Sequence, residues 1–164
     1  MSIVLDQTQK IVVVRETIVS MAINAVMTGL ATWLLFRGSE IVPYVSSAGP
    51  AIRDDLVITG FIVGLMSTLP ATLMVRKALA KQAVGPLLPP RPRFLPAGLV
   101  KRLAVVAGTS ALILFVLQAV LVPVLDIDGV FFAVYLPFKM VLAFVLAGFL
   151  TPVVVLRALG DDRQ

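Results

Sequence analysis

The chain has 164 residues, 59% of them hydrophobic and 14% charged, with no cysteine, no histidine and a formal net charge of +5. Soluble domains average about 25% charged residues, and a chain this short has too much surface to hide so much apolar mass from water, so the solvent for most of it is lipid. Without thiols or imidazoles, disulfides, thiolate nucleophiles, haem ligation by His and most transition-metal sites are excluded; no cofactor is expected, and the positive charge reads as a membrane-topology signal and not as a nucleic-acid footprint.

Residues 1–17 carry Asp6, Lys10, Arg15 and Glu16 among Ile, Val and Leu. The charges follow the first apolar residues and the next apolar run is full length, which is not the pattern of a secretory signal. Ile3, Leu5, Ile11 and Val14 keep no helical period, so an interfacial segment leading into the first span is expected. Residues 18–36 form an uncharged run of nineteen. At about 1.5 Å rise per residue this matches a hydrocarbon core of about 30 Å, and Trp33 suits an interfacial anchor. Gly38, Pro43, Gly49 and Pro50 then break a loop that holds Glu40, Asp54 and Asp55, and residues 56–75 form the second uncharged run.

Residues 76–102 contain seven of the fourteen Lys and Arg residues and five of the eleven prolines, with no acidic residue. The prolines disfavour a continuous helix and point to a semi-extended spacer over 85–96. A third uncharged run, 103–125, ends at a turn with Asp126 and Asp128, and the fourth, 130–156, contains Lys139. Proline is favoured at the first position of a helix, so Pro137 predicts a span that begins there, with 129–136 in the interface and Lys139 free to snorkel to the headgroups. The other readings of Lys139 are an anion or headgroup ligand, a gate, or a partner of an outer-loop carboxylate such as Asp55 or Asp126.

The fold class expected is an all-α integral membrane protein of four transmembrane helices in a single domain, arranged as two co-oriented hairpins over 18–75 and 103–156. The terminal segments and the linker carry eleven Lys and Arg residues against two in the opposite loops, which puts both termini and the linker in the cytoplasm. Gly60, Gly64 and Thr68 share their spacing with Ala143, Ala147 and Thr151, and each hairpin turns at an acidic pair, so the halves read as a parallel internal repeat. The same six residues are the expected helix-packing faces, because small residues let backbones approach closely in lipid.

On the first helix Ser20, Asn24, Thr28 and Thr32 recur every four residues and must face protein or water, with Ser110 and Gln118 on the third helix as expected partners. Interhelical hydrogen bonding is the preferred reading of this stripe, and a polar path for a substrate is the alternative. No carboxylate is expected inside any span, which argues against a proton- or cation-coupled carrier, and no phosphate loop, metal cluster or nucleophile–base pair supports an enzyme. Two functions follow: a non-catalytic accessory or assembly subunit that packs with copies of itself or a larger membrane complex, or a small channel or transporter along Asn24, Thr28, Thr32, Gln118 and Lys139. Arg76, Lys77, Lys81, Lys101 and Arg102 are expected to touch anionic lipid headgroups, with partner docking through Arg91 and Arg93 as the alternative. A bacterial inner membrane is the expected location.

Overall fold

The computed structural model describes residues 5–47, 49–87 and 94–161, so Arg91, Arg93 and Arg163 lie outside the described residues. It is all-helical apart from one short strand pair: α1 (Gln7–Phe36), β1 (Ile41–Pro43), α2 (Ile52–Ala80), α3 (Leu99–Leu125), β2 (Gly129–Phe131) and α4 (Phe132–Leu159). All four helices are long and apolar enough to cross a membrane, which makes this a multi-pass membrane protein.

The helices begin earlier than the uncharged runs. α1 starts at Gln7 because the Asp6 carboxylate accepts from the Gln9 N–H at 2.7 Å while the Gln9 side chain accepts from the Asp6 N–H at 3.1 Å, a reciprocal capping box. The expected separate interfacial segment is therefore the first turns of α1. α2 starts at Ile52 and takes Asp54 and Asp55 into its first turn, where carboxylates complement the positive end of the helix dipole. α4 starts at Phe132, directly after β2, so Pro137 is not its first residue. As the sixth residue of α4 it lies beyond the leading N–H groups that lack intrahelical partners, so its missing N–H leaves the Ala133 carbonyl without the bond from four residues on.

β1 and β2 pair antiparallel with Val42 opposite Val130, which ties the α1–α2 loop to the α3–α4 loop. Gly38, at φ +97°, turns the chain out of α1 toward β1. Beneath the strands Phe36, Val42, Ile52, Leu56 and Tyr135 form a small core, with the rings of Phe36 and Tyr135 edge to face at 5.6 Å. At the opposite end Val75, Leu79, Val154, Val155 and Leu159 form the largest core, joined by Val84, Leu87 and Leu95 of the linker. These described parts of the linker are packed onto the helix ends and are not a free spacer. The Leu87 N–H donates to the Leu159 carbonyl at 2.9 Å, and the Gln9 side chain donates to the Gly85 carbonyl at 3.1 Å.

The helix pairing follows neither hairpin. α1 packs along α4, α2 packs along α3, and α2 also lies against α4, whereas the sequence neighbours α1 and α2 touch lightly and α3 and α4 hardly meet. Glycine explains the closeness of the second pair. A Cβ on Gly64 would lie 2.6 Å from the Ala107 Cα, and one on Gly60 would lie 2.7 Å from the Ser110 carbonyl oxygen. Backbone against backbone is the packing that small residues permit when lipid supplies no hydrophobic drive. The other small triplet meets different neighbours: Ala143 and Ala147 are fully buried with Val63, and Met21 of α1 packs on the same cluster.

Candidate functional site

Three polar clusters sit inside this apolar frame. At the level of the first turn of α2, Asp55 Oδ2 accepts from Lys139 Nζ at 2.5 Å and from the Tyr135 hydroxyl at 2.7 Å. Lys139 and Tyr135 lie one helical turn apart on α4, so both reach the same point on α2, and the ammonium sits 5.7 Å from the Tyr135 ring centroid. The Lys139 side chain is 1% exposed and that of Asp55 8%. Lys139 therefore does not snorkel as Pro137 suggested; of the readings open to it, the pairing with Asp55 is the one observed, and the buried carboxylate at its own depth holds it inside. The carboxylates are also not confined to the loops, because Asp55 and Glu16 are buried within α2 and α1, Glu16 beside Arg15 at 2.6 Å.

The middle cluster joins α1, α2 and α4. The Asn24 amide donates to the Ser20 carbonyl at 2.8 Å and to the Ser67 hydroxyl at 3.3 Å, and the Ser20 hydroxyl donates to Ser67 at 3.3 Å. From α4 the Thr151 hydroxyl donates to Ser20 at 2.8 Å. Thr28 and Thr32 are buried on the same face of α1. The expected partners on α3 are elsewhere: Ser110 donates to the Val106 carbonyl at 2.7 Å, one turn back on its own helix, and the Gln118 amide donates to the Arg53 carbonyl at 2.9 Å. The helix pairing is the reason, since α3 packs on α2 and leaves α1 to α4. Thr68 likewise turns back, donating to the Gly64 carbonyl at 2.7 Å. Ser67 was not singled out from the sequence, although it stands four residues after the core residue Val63.

The third cluster lies at the linker end. Arg102 was expected at the lipid headgroups, but it is fully buried and donates to Asp161 Oδ1 at 2.6 Å. An arginine one turn into α3 can reach a carboxylate that follows α4 because the described linker residues draw the helix ends together. Arg76 donates to the other oxygen of Asp161 at 3.0 Å. Lys77, Lys81 and Lys101 are exposed at this end. Asp161 went unnoticed in the sequence, although its position four residues after Arg157 is the spacing of a helical ion pair.

Among the described residues no group of His, Cys, Asp and Glu is placed to hold a metal. Comparison with protein-family models, with curated proteins and with solved structures found no match.

Proposed function

We propose that the protein is a non-catalytic integral membrane subunit that works by packing against copies of itself or a larger membrane complex. The observation that carries this reading is the use of the polar side chains inside the bundle, where Asn24, Ser20, Ser67 and Thr151 bond to one another, while α3 packs chiefly on α2 and keeps a face free for a neighbouring helix. The outer surface of the spans therefore offers a neighbour chiefly apolar side chains. The test is extraction in native nanodiscs followed by mass measurement. A stoichiometric assembly is expected, and a homogeneous monomer without partner overturns the reading.

A channel or transporter is the second reading, favoured by one observation: the Thr32 hydroxyl and the Gln118 carbonyl oxygen are buried without hydrogen-bond partners, in a bundle that also holds an ion pair within its helices. Liposome flux that disappears on Asn24→Leu or Lys139→Leu, with folding intact, would select it.

The two halves are, in this proposal, duplicated hairpins related by a two-fold axis along the membrane normal. A two-fold that exchanges α1 with α3 and α2 with α4 turns the α1–α4 packing into the α3–α2 packing, keeps α2 against α4 on the axis, and maps β1 onto β2 about Val42 and Val130. The excess of Lys and Arg at the termini and linker supports a cytoplasmic position for that end in this proposal, with Lys77, Lys81 and Lys101 against anionic headgroups and a bacterial inner membrane as the setting.

A further inference from the structure

Three guanidinium groups converge on one carboxylate where the linker meets the helix ends. Asp161 Oδ1 accepts from Arg102 Nη2 at 2.6 Å, and Oδ2 accepts from Arg76 Nη2 at 3.0 Å and Nε at 3.3 Å. Arg157 Nη1 stands 3.6 Å from Oδ1, too far for a hydrogen bond, and is buried without a partner. The arginines belong to three different helices, α2, α3 and α4.

A carboxylate is a poor fit to this set. Its two oxygens are engaged by Arg76 and Arg102, so the Nη1 of the third guanidinium is left without an acceptor, and among the described residues three positive charges face a single negative one. A phosphate group carries more acceptor oxygens, arranged tetrahedrally, with equal or greater charge, and arginine forks suit it geometrically. The guanidiniums do not depend on Asp161 for their positions. Arg102 also donates to the Pro96 and Ala97 carbonyls at 3.1 and 3.0 Å, Arg76 to the Ala97 carbonyl at 3.2 Å, and Arg157 to the Leu95 carbonyl at 2.7 Å. The Arg76 side chain is 40% exposed, which opens the cluster to the outside.

We propose that Arg76, Arg102 and Arg157 form a binding site for a phosphate group, and that Asp161 is its resident occupant, displaced when a phosphate-bearing ligand arrives. The ligand is either the headgroup of an anionic phospholipid or a soluble phosphate. The site does not depend on whether the bundle assembles with a partner.

The experiment compares the wild-type protein with Asp161→Asn in detergent, using thermal unfolding to titrate inorganic phosphate in one arm and phosphatidic acid against phosphatidylcholine in the other. Removing the competing charge should tighten phosphate-group binding at least tenfold, and Arg157→Gln added to Asp161→Asn should abolish the gain. A gain with both probes or with inorganic phosphate alone assigns a soluble source, and a gain with phosphatidic acid alone assigns a lipid. No gain with either probe in folded Asp161→Asn protein, or a gain that survives Arg157→Gln, overturns the proposal. If the variant does not fold, hydrogen exchange in the wild type decides. Saturating phosphatidic acid or phosphate should speed exchange of the Gly160 and Asp161 amides, which now bond back to Arg157 and Ala158, and unchanged exchange with both overturns the proposal.

Discussion

Lys139 and Asp55 meet at 2.5 Å inside the bundle although 84 residues separate them, and they join the two helices that lie at its centre. Removing one member of such a buried pair strands the other charge, at a cost of about 3–5 kcal/mol. Lys139→Leu is therefore expected to destabilise the protein by that order in reversible unfolding. Asp55→Leu combined with Lys139→Leu should recover much of the loss, leaving the Tyr135 hydroxyl as the group without its acceptor. Equal stability of the single and double variants would show that the pair does not act as a unit.

Gly64 is predicted to be the least replaceable glycine on α2. A Cβ there meets the Ala107 backbone at 2.6 Å, and a backbone neighbour cannot swing aside as the end of a side chain can. Gly64→Val should cost about 1–3 kcal/mol or more by overpacking. Gly108→Ala on α3 is the control, because nothing lies within 4 Å of a Cβ at that position, and it should change stability by about 1 kcal/mol or less. Thermal unfolding of the two variants side by side checks both expectations.

The spans were legible in the sequence because an uncharged run of about twenty residues has one cheap solution in lipid. Their ends were not, because helix limits depend on local bonds such as the Asp6–Gln9 capping box and on whether a charge finds a buried partner. The four-residue period of Ser20, Asn24, Thr28 and Thr32 told which face of α1 is buried, and all four are buried. It did not tell which helix covers that face. Their eight-residue spacing pointed to Ser110 and Gln118 on α3, whereas α2 supplies Ser67 and α4 supplies Thr151. The snorkelling reading of Lys139 and the headgroup reading of Arg102 gave way for the same reason, while the Asp55 pairing weighed for Lys139 is the one observed. A charge near a predicted membrane boundary has two low-cost fates, water or a buried counter-charge, and the second is decided by a residue far away in sequence, Asp55 or Asp161.

The middle cluster should respond in graded fashion. Interhelical hydrogen bonds in membranes are worth about 0.6 kcal/mol on average and reach about 1.7. Thr151→Val removes a 2.8 Å bond with little change of shape and should cost toward the upper part of that range. Ser67→Ala removes two contacts at 3.3 Å and should cost less, while Asn24→Leu removes the amide that links α1 to α2 and should cost at least as much as Thr151→Val. Unfolding of the three variants in one detergent gives the order, and a larger loss for Ser67→Ala than for Thr151→Val would contradict it.

Cross-linking distinguishes the pairing of α1 with α4 from a bundle of sequential hairpins. The native chain has no cysteine, so introduced pairs report without background. A Cβ on Gly148 lies 3.1 Å from the Met21 side chain and one on Gly29 lies 2.9 Å from the sulfur of Met140, so the two contacts mark one α1–α4 seam at well-separated heights. Met21→Cys with Gly148→Cys should link rapidly with a short thiol reagent in membranes. Ile113→Cys with Phe144→Cys, on α3 and α4 and both exposed, should link slowly, because those helices hardly meet. Gly29→Cys with Met140→Cys tests the seam at its other height, where the shorter Cys at 140 removes the side chain that a Cβ at 29 would otherwise meet. Fast linking of the α3–α4 pair together with failure of both α1–α4 pairs would mean that the chain packs as sequential hairpins, and the shared seam that relates its halves would then be lost.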